Sequence, residues 1–144
     1  MKVLFVCLGN ICRSPAAEGV FRARAASRGL NIEVDSAGTG GWHVGGPSDP
    51  RMVAAAKKRG YDLSTLRARQ FSDGDGFDFD AIYAMDDSNL ADIEELRLPG
   101  WTAWVSKLMD QDVPDPYYGG EDGFEHVLDL LEEASDRILS QLAT

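Results

Sequence analysis

Apolar residues along this chain fall into two alternating spacings. Lys2-Val3-Leu4-Phe5-Val6 is a continuous apolar, β-branched and aromatic run, the pattern of a strand buried on both faces. From Pro15 to Arg28 the pattern changes: Ala17, Val20, Phe21 and Ala25 recur at helical spacing and Gly29 closes the segment. Pro15 suits the first helical position, with Ser14 or a neighbour as the cap. Asn31 to Ser36 alternates as a second strand, and the glycine-rich stretch from Ala37 to Pro47 reads as a loop. Asp49-Pro50 opens a second helix that runs to Lys58 or Arg59 and stops at Gly60. Leu63 to Phe71 is irregular. Asp80 to Met85 predicts a third strand, Asp87 to Leu96 a third helix, Pro99 to Thr102 a turn, and Val105 to Leu108 a weak fourth strand. Asp112 to Gly120 is a loop, because Pro114 and Pro116 refuse both a helix interior and a central strand. The chain closes on an amphipathic helix whose core face carries Phe124, Val127, Leu128, Leu131, Ile138, Leu139 and Leu142.

Strands that alternate with helices predict an α/β fold, a small doubly wound parallel sheet with helices on both faces. The first strand, helix and second strand form a β-α-β unit, whose crossover is expected to be right-handed. At 144 residues the chain is expected to form a single domain over 1–144, burying about two-thirds of the surface its unfolded form exposes.

Charge and cysteine usage narrow the classes of function. A net charge of −10 argues against a nucleic-acid surface and against an anionic membrane. The two cysteines stand within one loop, which is no disulfide framework, and the two histidines lack the spacing of metal ligands. No run approaches the length of a membrane span, and the apolar start is short and broken by Gly9, Asn10 and Arg13, so no secretory leader is expected. A cytoplasmic protein without metal or cofactor is the expectation. Asp73-Gly74-Asp75-Gly76-Phe77-Asp78 has the flavour of a calcium loop, but Ala84 stands where the closing glutamate is due, and the stretch reads as a solvated acidic turn.

The chemistry gathers in Cys7-Leu8-Gly9-Asn10-Ile11-Cys12-Arg13-Ser14-Pro15, at the carboxyl end of the first strand, where open parallel sheets bind ligands. Gly9 is expected to take an unusual backbone angle that turns successive N–H groups toward one point. The following helix adds the positive end of its dipole, so the concavity favours an anion. Such a nest also favours the ionised form of a thiol at its mouth, which makes Cys7 the candidate nucleophile. Arg13 offers a planar fork matched to two phosphate oxygens. Its place in the first helical turn, unfavourable with the dipole alone, makes sense if an anion binds between.

This C-x5-R-S loop, Cys7 to Arg13 and Ser14, resembles the phosphate loop of protein tyrosine phosphatases. Near the start of the chain, as VCLGNICRSP, it is similar to that of the low-molecular-weight class. The resemblance covers essentially the whole chain and implies a four-stranded sheet. It implies phosphotyrosine hydrolysis through a phosphocysteine on Cys7, with Arg13 and the loop backbone from Leu8 through Gly9, Asn10, Ile11 and Cys12 holding the phosphate. Asp115, in Asp-Pro-Tyr-Tyr, matches the general acid. Ser14 matches a hydroxyl bonded to the thiolate, a role compatible with capping. Asn10 matches a loop-holding asparagine whose partners include a serine, here Ser36, and a histidine that is Leu66 in this chain; the bracing network is therefore expected to differ in part.

Trp42 and Tyr117, with Leu8 and His43, look like walls of a slot deep enough to select phosphotyrosine. Relatives that act on phosphoarginine tend to carry threonine at the position of Ile11, so Ile11 favours tyrosine. Cys12 is either a packing residue or a partner for Cys7 in a reversible disulfide. Tyr117 and Tyr118 match tyrosines phosphorylated in some relatives. The implied partner is a phosphotyrosine protein, a bacterial tyrosine kinase among the candidates, and the implied state a monomer or weak dimer. Two other readings stand beside this one. Thioredoxin-coupled arsenate reduction on this fold needs a further cysteine pair, and no cysteine follows Cys12. A phosphotyrosine-binding module with an idle nucleophile would bind without turnover.

Overall fold

A computed structural model describes residues 1–117 and 119–142; Tyr118, one of the two tyrosines noted above, lies outside them. The elements follow the order β1 (Lys2–Cys7), α1 (Arg13–Ser27), β2 (Glu33–Gly38), α2 (Pro50–Lys58), α3 (Asp75–Asp78), β3 (Ala81–Ala84), α4 (Asp87–Glu95), β4 (Trp104–Lys107) and α5 (Glu121–Leu142). The strands form one parallel sheet in the order β2-β1-β3-β4.

Period-two alternation along β1 sorts its side chains between two cores. Val3, Phe5 and Cys7 face α1, α2 and α5, where Phe5 meets Phe21 edge to face at 5.4 Å. Leu4 and Val6 face the other way, with Ile82, Ala84 and Ile93 of β3 and α4. A strand with apolar neighbours on both faces must be apolar throughout, which is why Val3-Leu4-Phe5-Val6 shows no polar break.

The strand order places the site. Starting from β1 the chain moves outward to β2, then returns past β1 to β3 and on to β4. The loops leaving β1 and β3 therefore diverge over opposite faces, and their carboxyl ends open a crevice at this switch point. The loop after β1 is the Cys7–Arg13 segment; the first residues after β3 are Met85 and Asp86.

Several expected boundaries moved. Helix α1 begins at Arg13 with Cys12 as its N-cap, which makes no side-chain cap bond; neither Ser14 nor Pro15 opens the helix. Pro15 is the third helical residue, still within the turn whose N–H groups have no intrahelical partner, so the proline costs no bond. β2 runs through Ala37 and Gly38, because they pair with Val6 and Cys7 of β1, and Arg69 and Phe71 bond Gly38 from a neighbouring segment. β4 begins one residue early, at Trp104. The acidic stretch Asp73 to Asp78 is not a solvated turn: it contains α3, and Asp75 turns inward, buried, to meet Arg69 at 3.1 Å. Leu142, expected on the core face of α5, is exposed as the last residue of that helix.

Candidate active site

Cys7 ends β1 and is buried, with 3% of its surface exposed. Two groups meet its Sγ: Ser14 Oγ at 3.0 Å, and the backbone N–H of Asn10, which donates at 3.3 Å. Asn10 is the one non-glycine residue with positive φ among the described residues, at 57°. That conformation costs most L-residues roughly 1–2 kcal/mol and costs asparagine less. The unusual angle expected of Gly9 thus belongs to its neighbour. Gly9 serves by approach instead, since a Cβ there would lie 3.1 Å from the His43 ring. Gly38 does the same from below: a Cβ would come within 2.8 Å of the Leu8 carbonyl oxygen.

The strained turn is held from three sides. Asn10 donates its side-chain amide to Ser14 Oγ at 2.8 Å and to Ser36 Oγ at 3.0 Å. Its amide oxygen accepts the backbone N–H of Arg69 at 2.9 Å. Ser36 in turn donates to the buried Glu18 at 2.7 Å, whose second oxygen accepts from Arg22 at 2.6 Å. No side chain at position 66 takes part; Leu66 packs against the core, and the backbone of Arg69 satisfies the asparagine.

Arg13 is buried to 3% exposure, which for a guanidinium demands partners. One terminal nitrogen donates to Asp86 at 2.6 Å and to the Val113 carbonyl at 3.0 Å. The other lies 3.6 Å from the Asp115 carboxylate. The guanidinium is thus fixed in one orientation from behind. Asp115 also accepts the backbone N–H of Tyr117 at 3.0 Å, an Asx turn that Pro114 and Pro116 flank.

Cys7, Arg13 and Asp115 line one cavity of about 330 Å³, with Leu8, Gly9, Ile11, Cys12, Trp42, His43 and Tyr117 as the remaining wall. His43 and Tyr117 stand 6.5 Å apart, ring centre to ring centre. Trp42 stands out from the rim, 72% exposed, its indole lying over Gly40, where a Cβ would clash. Ser14 and Ser36 lie behind the loop and not in the cavity.

The Low molecular weight phosphotyrosine protein phosphatase model matches residues 2–144. The chain belongs to that family. It is 45% identical to the low molecular weight protein-tyrosine-phosphatase of Streptomyces coelicolor, over 96% of this chain and 92% of that one. Among solved structures, a protein tyrosine phosphatase from Entamoeba histolytica superposes with TM-score 0.94 at 39% identity, covering 99% of this chain and 97% of that one. A Drosophila arginine phosphatase superposes with TM-score 0.94 at 35% identity, covering 100% and 99%.

Within this phosphatase the two cysteines are unlike. Both are free thiols, and burial, with the charge of Asp49 next, pushes the Cys12 thiol well above its usual range. Ionised thiols carry the reactivity, so iodoacetamide at neutral pH should modify Cys7 and spare Cys12. Peptide mapping of the labelled protein reads this directly, and equal labelling would remove the distinction.

Three residues of the phosphatase site escaped the sequence reading: Asp86, Glu18 and Arg69. Asp86 had a signal, since an aspartate between a strand and a helix is an N-cap, and it does accept the Asn89 N–H at 2.7 Å. That β3 adjoins β1, and so brings Asp86 beside Arg13, needed the strand order.

Proposed function

We propose that the chain hydrolyses phosphotyrosine in proteins through a phosphocysteine on Cys7. The observation that carries this is the convergence on one cavity of a strand-end thiol that accepts the Asn10 N–H and meets Ser14 Oγ, a buried and pre-oriented guanidinium, and a carboxyl at the rim. The thiolate attacks phosphorus as Asp115 gives its proton to the departing phenolate; the S–P bond forms and the P–O bond to the ring breaks. Arg13 and the N–H groups of the loop hold the equatorial oxygens, where the transition-state charge lies. Asp115, now a base, takes a proton from water. The water oxygen attacks phosphorus, the new P–O bond forms as the S–P bond breaks, and orthophosphate leaves with the thiolate restored.

The walls favour an aryl ester. The aromatic rings of His43 and Tyr117 in the wall, with Trp42 at the rim, suit the ring of a phosphotyrosine better than the short side chain of a phosphoserine. Ile11 presents an apolar side chain to the cavity, with no oxygen to accept from a phosphoarginine guanidinium. Every group the reaction uses comes from a single chain, so a monomer suffices. The cytoplasm suits a nucleophile that works only as a free thiol. The enzymes that would supply its substrates are tyrosine kinases, a bacterial one among the candidates.

Two opposed protonation demands, Cys7 ionised and Asp115 protonated, make kcat/KM for an aryl phosphate bell-shaped in pH. Asp115→Asn should lower kcat/KM by about 10²–10³ on phenyl phosphate and erase the basic limb. Rates of wild type and variant across pH, on phenyl phosphate and on matched phosphotyrosine and phosphoarginine peptides, test the reading. An unchanged basic limb in the variant would remove Asp115 from the reaction. Preference for phosphoarginine would overturn the choice of substrate.

A further inference from the structure

The segment that carries Asp115 has few donors of its own. Pro114 and Pro116 lack N–H groups, and beyond the Tyr117 N–H on Asp115 and the Gly119 N–H on the Pro116 carbonyl its anchorage comes from outside. Upstream, Val113 donates its N–H to the Met85 carbonyl at 2.8 Å, and its own carbonyl accepts from Arg13. Downstream, the tie is Arg51. Its guanidinium donates to the Tyr117 carbonyl at 2.8 Å and lies 5.5 Å from the centre of the Tyr117 ring and 4.8 Å from that of buried Phe124.

Arg51 is itself oriented. Asp49, 6% exposed, accepts from Arg51 Nε at 3.1 Å and from a terminal nitrogen at 2.9 Å, the two-point geometry of a guanidinium on a carboxylate. Asp49 also caps α2 through the Arg51 backbone N–H, and its own backbone N–H donates to the Ile11 carbonyl at 2.8 Å. A chain of contacts therefore runs from the phosphate loop at Ile11 through Asp49, Arg51 and Tyr117 to Asp115. It returns to the phosphate loop through Arg13, 3.6 Å from the Asp115 carboxylate.

We propose that Asp49 and Arg51 form a strut that sets the position of the Asp115 carboxyl over the phosphate loop, Arg51 acting as a positioning residue for proton transfer to the leaving group. The inference rests on Asp115 being the general acid. Arg51 lines no part of the cavity with Cys7 and touches no reacting atom. Its effect reaches the reaction through the Tyr117 carbonyl, one peptide unit from the Asx turn that orients Asp115. A displacement of an acid by about 1 Å is enough to cost a large part of its contribution.

The test compares leaving groups. Arg51→Met keeps the length of the stem and removes every donor; Arg51→Lys keeps the charge and removes the planar fork. On phenyl phosphate, whose phenolate needs a proton, both should lower kcat/KM by roughly tenfold or more. On 2,4-dinitrophenyl phosphate, whose leaving group needs none, the change should stay within about twofold, and the inhibition constant of orthophosphate should not move. In an Asp115→Asn background, Arg51→Met should cost nothing further. Equal losses on both esters would overturn the strut and assign Arg51 to general stability or to attraction of the anion. A wild-type rate for Arg51→Lys on phenyl phosphate would overturn the role of the fork, as would full additivity with Asp115→Asn. Thermal melts identify a variant that fails to fold, in which case the milder Arg51→Lys carries the comparison. A wild type without turnover on either ester would refute the phosphatase reading itself, a result distinct from any of these.

Discussion

Cys7→Ser should abolish turnover, by on the order of 10⁴-fold or more, while the pocket keeps its shape and its affinity for orthophosphate. The loss is large because the site favours an anionic sulfur and supplies no base for an alcohol. The partners of Sγ are Ser14 Oγ and the backbone N–H of Asn10, which donates to the sulfur. A serine there would keep its proton at neutral pH, and its neighbour Ser14, a hydroxyl, can share a hydrogen bond with it but is no base to remove the proton. Binding should survive because the remaining anion-holding groups are independent of the sulfur. The check is a pair of measurements on one preparation: steady-state hydrolysis of an aryl phosphate, and orthophosphate binding by calorimetry. Residual turnover above about one per cent would mean that water, or Cys12, attacks without Cys7. The high Cys12 pKa argues against the second.

The strand-end thiol loop was legible in the sequence because its signal is local. A buried strand, a five-residue turn and a helix start lie consecutively in the chain, and the chemistry of a strand-end nest follows from that succession alone. The sheet followed from the same logic, since continuous apolar strands alternating with amphipathic helices leave few alternatives. Boundaries failed where a distant segment decided them. Gly38, in a glycine-rich stretch that reads as a loop, is a strand residue because it pairs with Cys7 of β1 and bonds Arg69 and Phe71 on its other side. Asp75, in a stretch of exposed-looking acids, is buried because Arg69 reaches it from six residues away. Asn10, not Gly9, takes the left-handed angle because it alone has a side chain that can bond Ser14, Ser36 and the Arg69 backbone at once. Glycine is the easier residue to strain, but it cannot hold the strain in place. Asp86 and Arg51 share the remaining difficulty: their partners, Arg13 and Tyr117, lie 73 and 66 residues away.

Arg13→Lys should lower kcat/KM by about 10³-fold and weaken orthophosphate binding as well, an effect on two observables where Cys7→Ser touches one. The guanidinium at 3% exposure has divided its donors: one nitrogen is committed to Asp86 and the Val113 carbonyl, which leaves the other to point into the cavity toward Asp115. An ammonium is a single point. It can satisfy Asp86, at the cost of withdrawing from the cavity, or reach the phosphate, at the cost of leaving a carboxylate without its partner. Asp86→Asn separates these contributions: Asp86 caps α4 through one oxygen and holds Arg13 through the other, so asparagine, with a single oxygen and no charge, loosens the hold on Arg13 while the guanidinium itself remains. That variant should retain more activity than Arg13→Lys, with its loss concentrated in kcat. The guanidinium then stays present for ground-state binding but is less firmly oriented for the transition state. Equal kcat/KM for Arg13→Lys and wild type would show that charge alone, and not the fork, stabilises the transferring phosphoryl group. The pre-orientation by Asp86 would then be a feature of folding and not of catalysis.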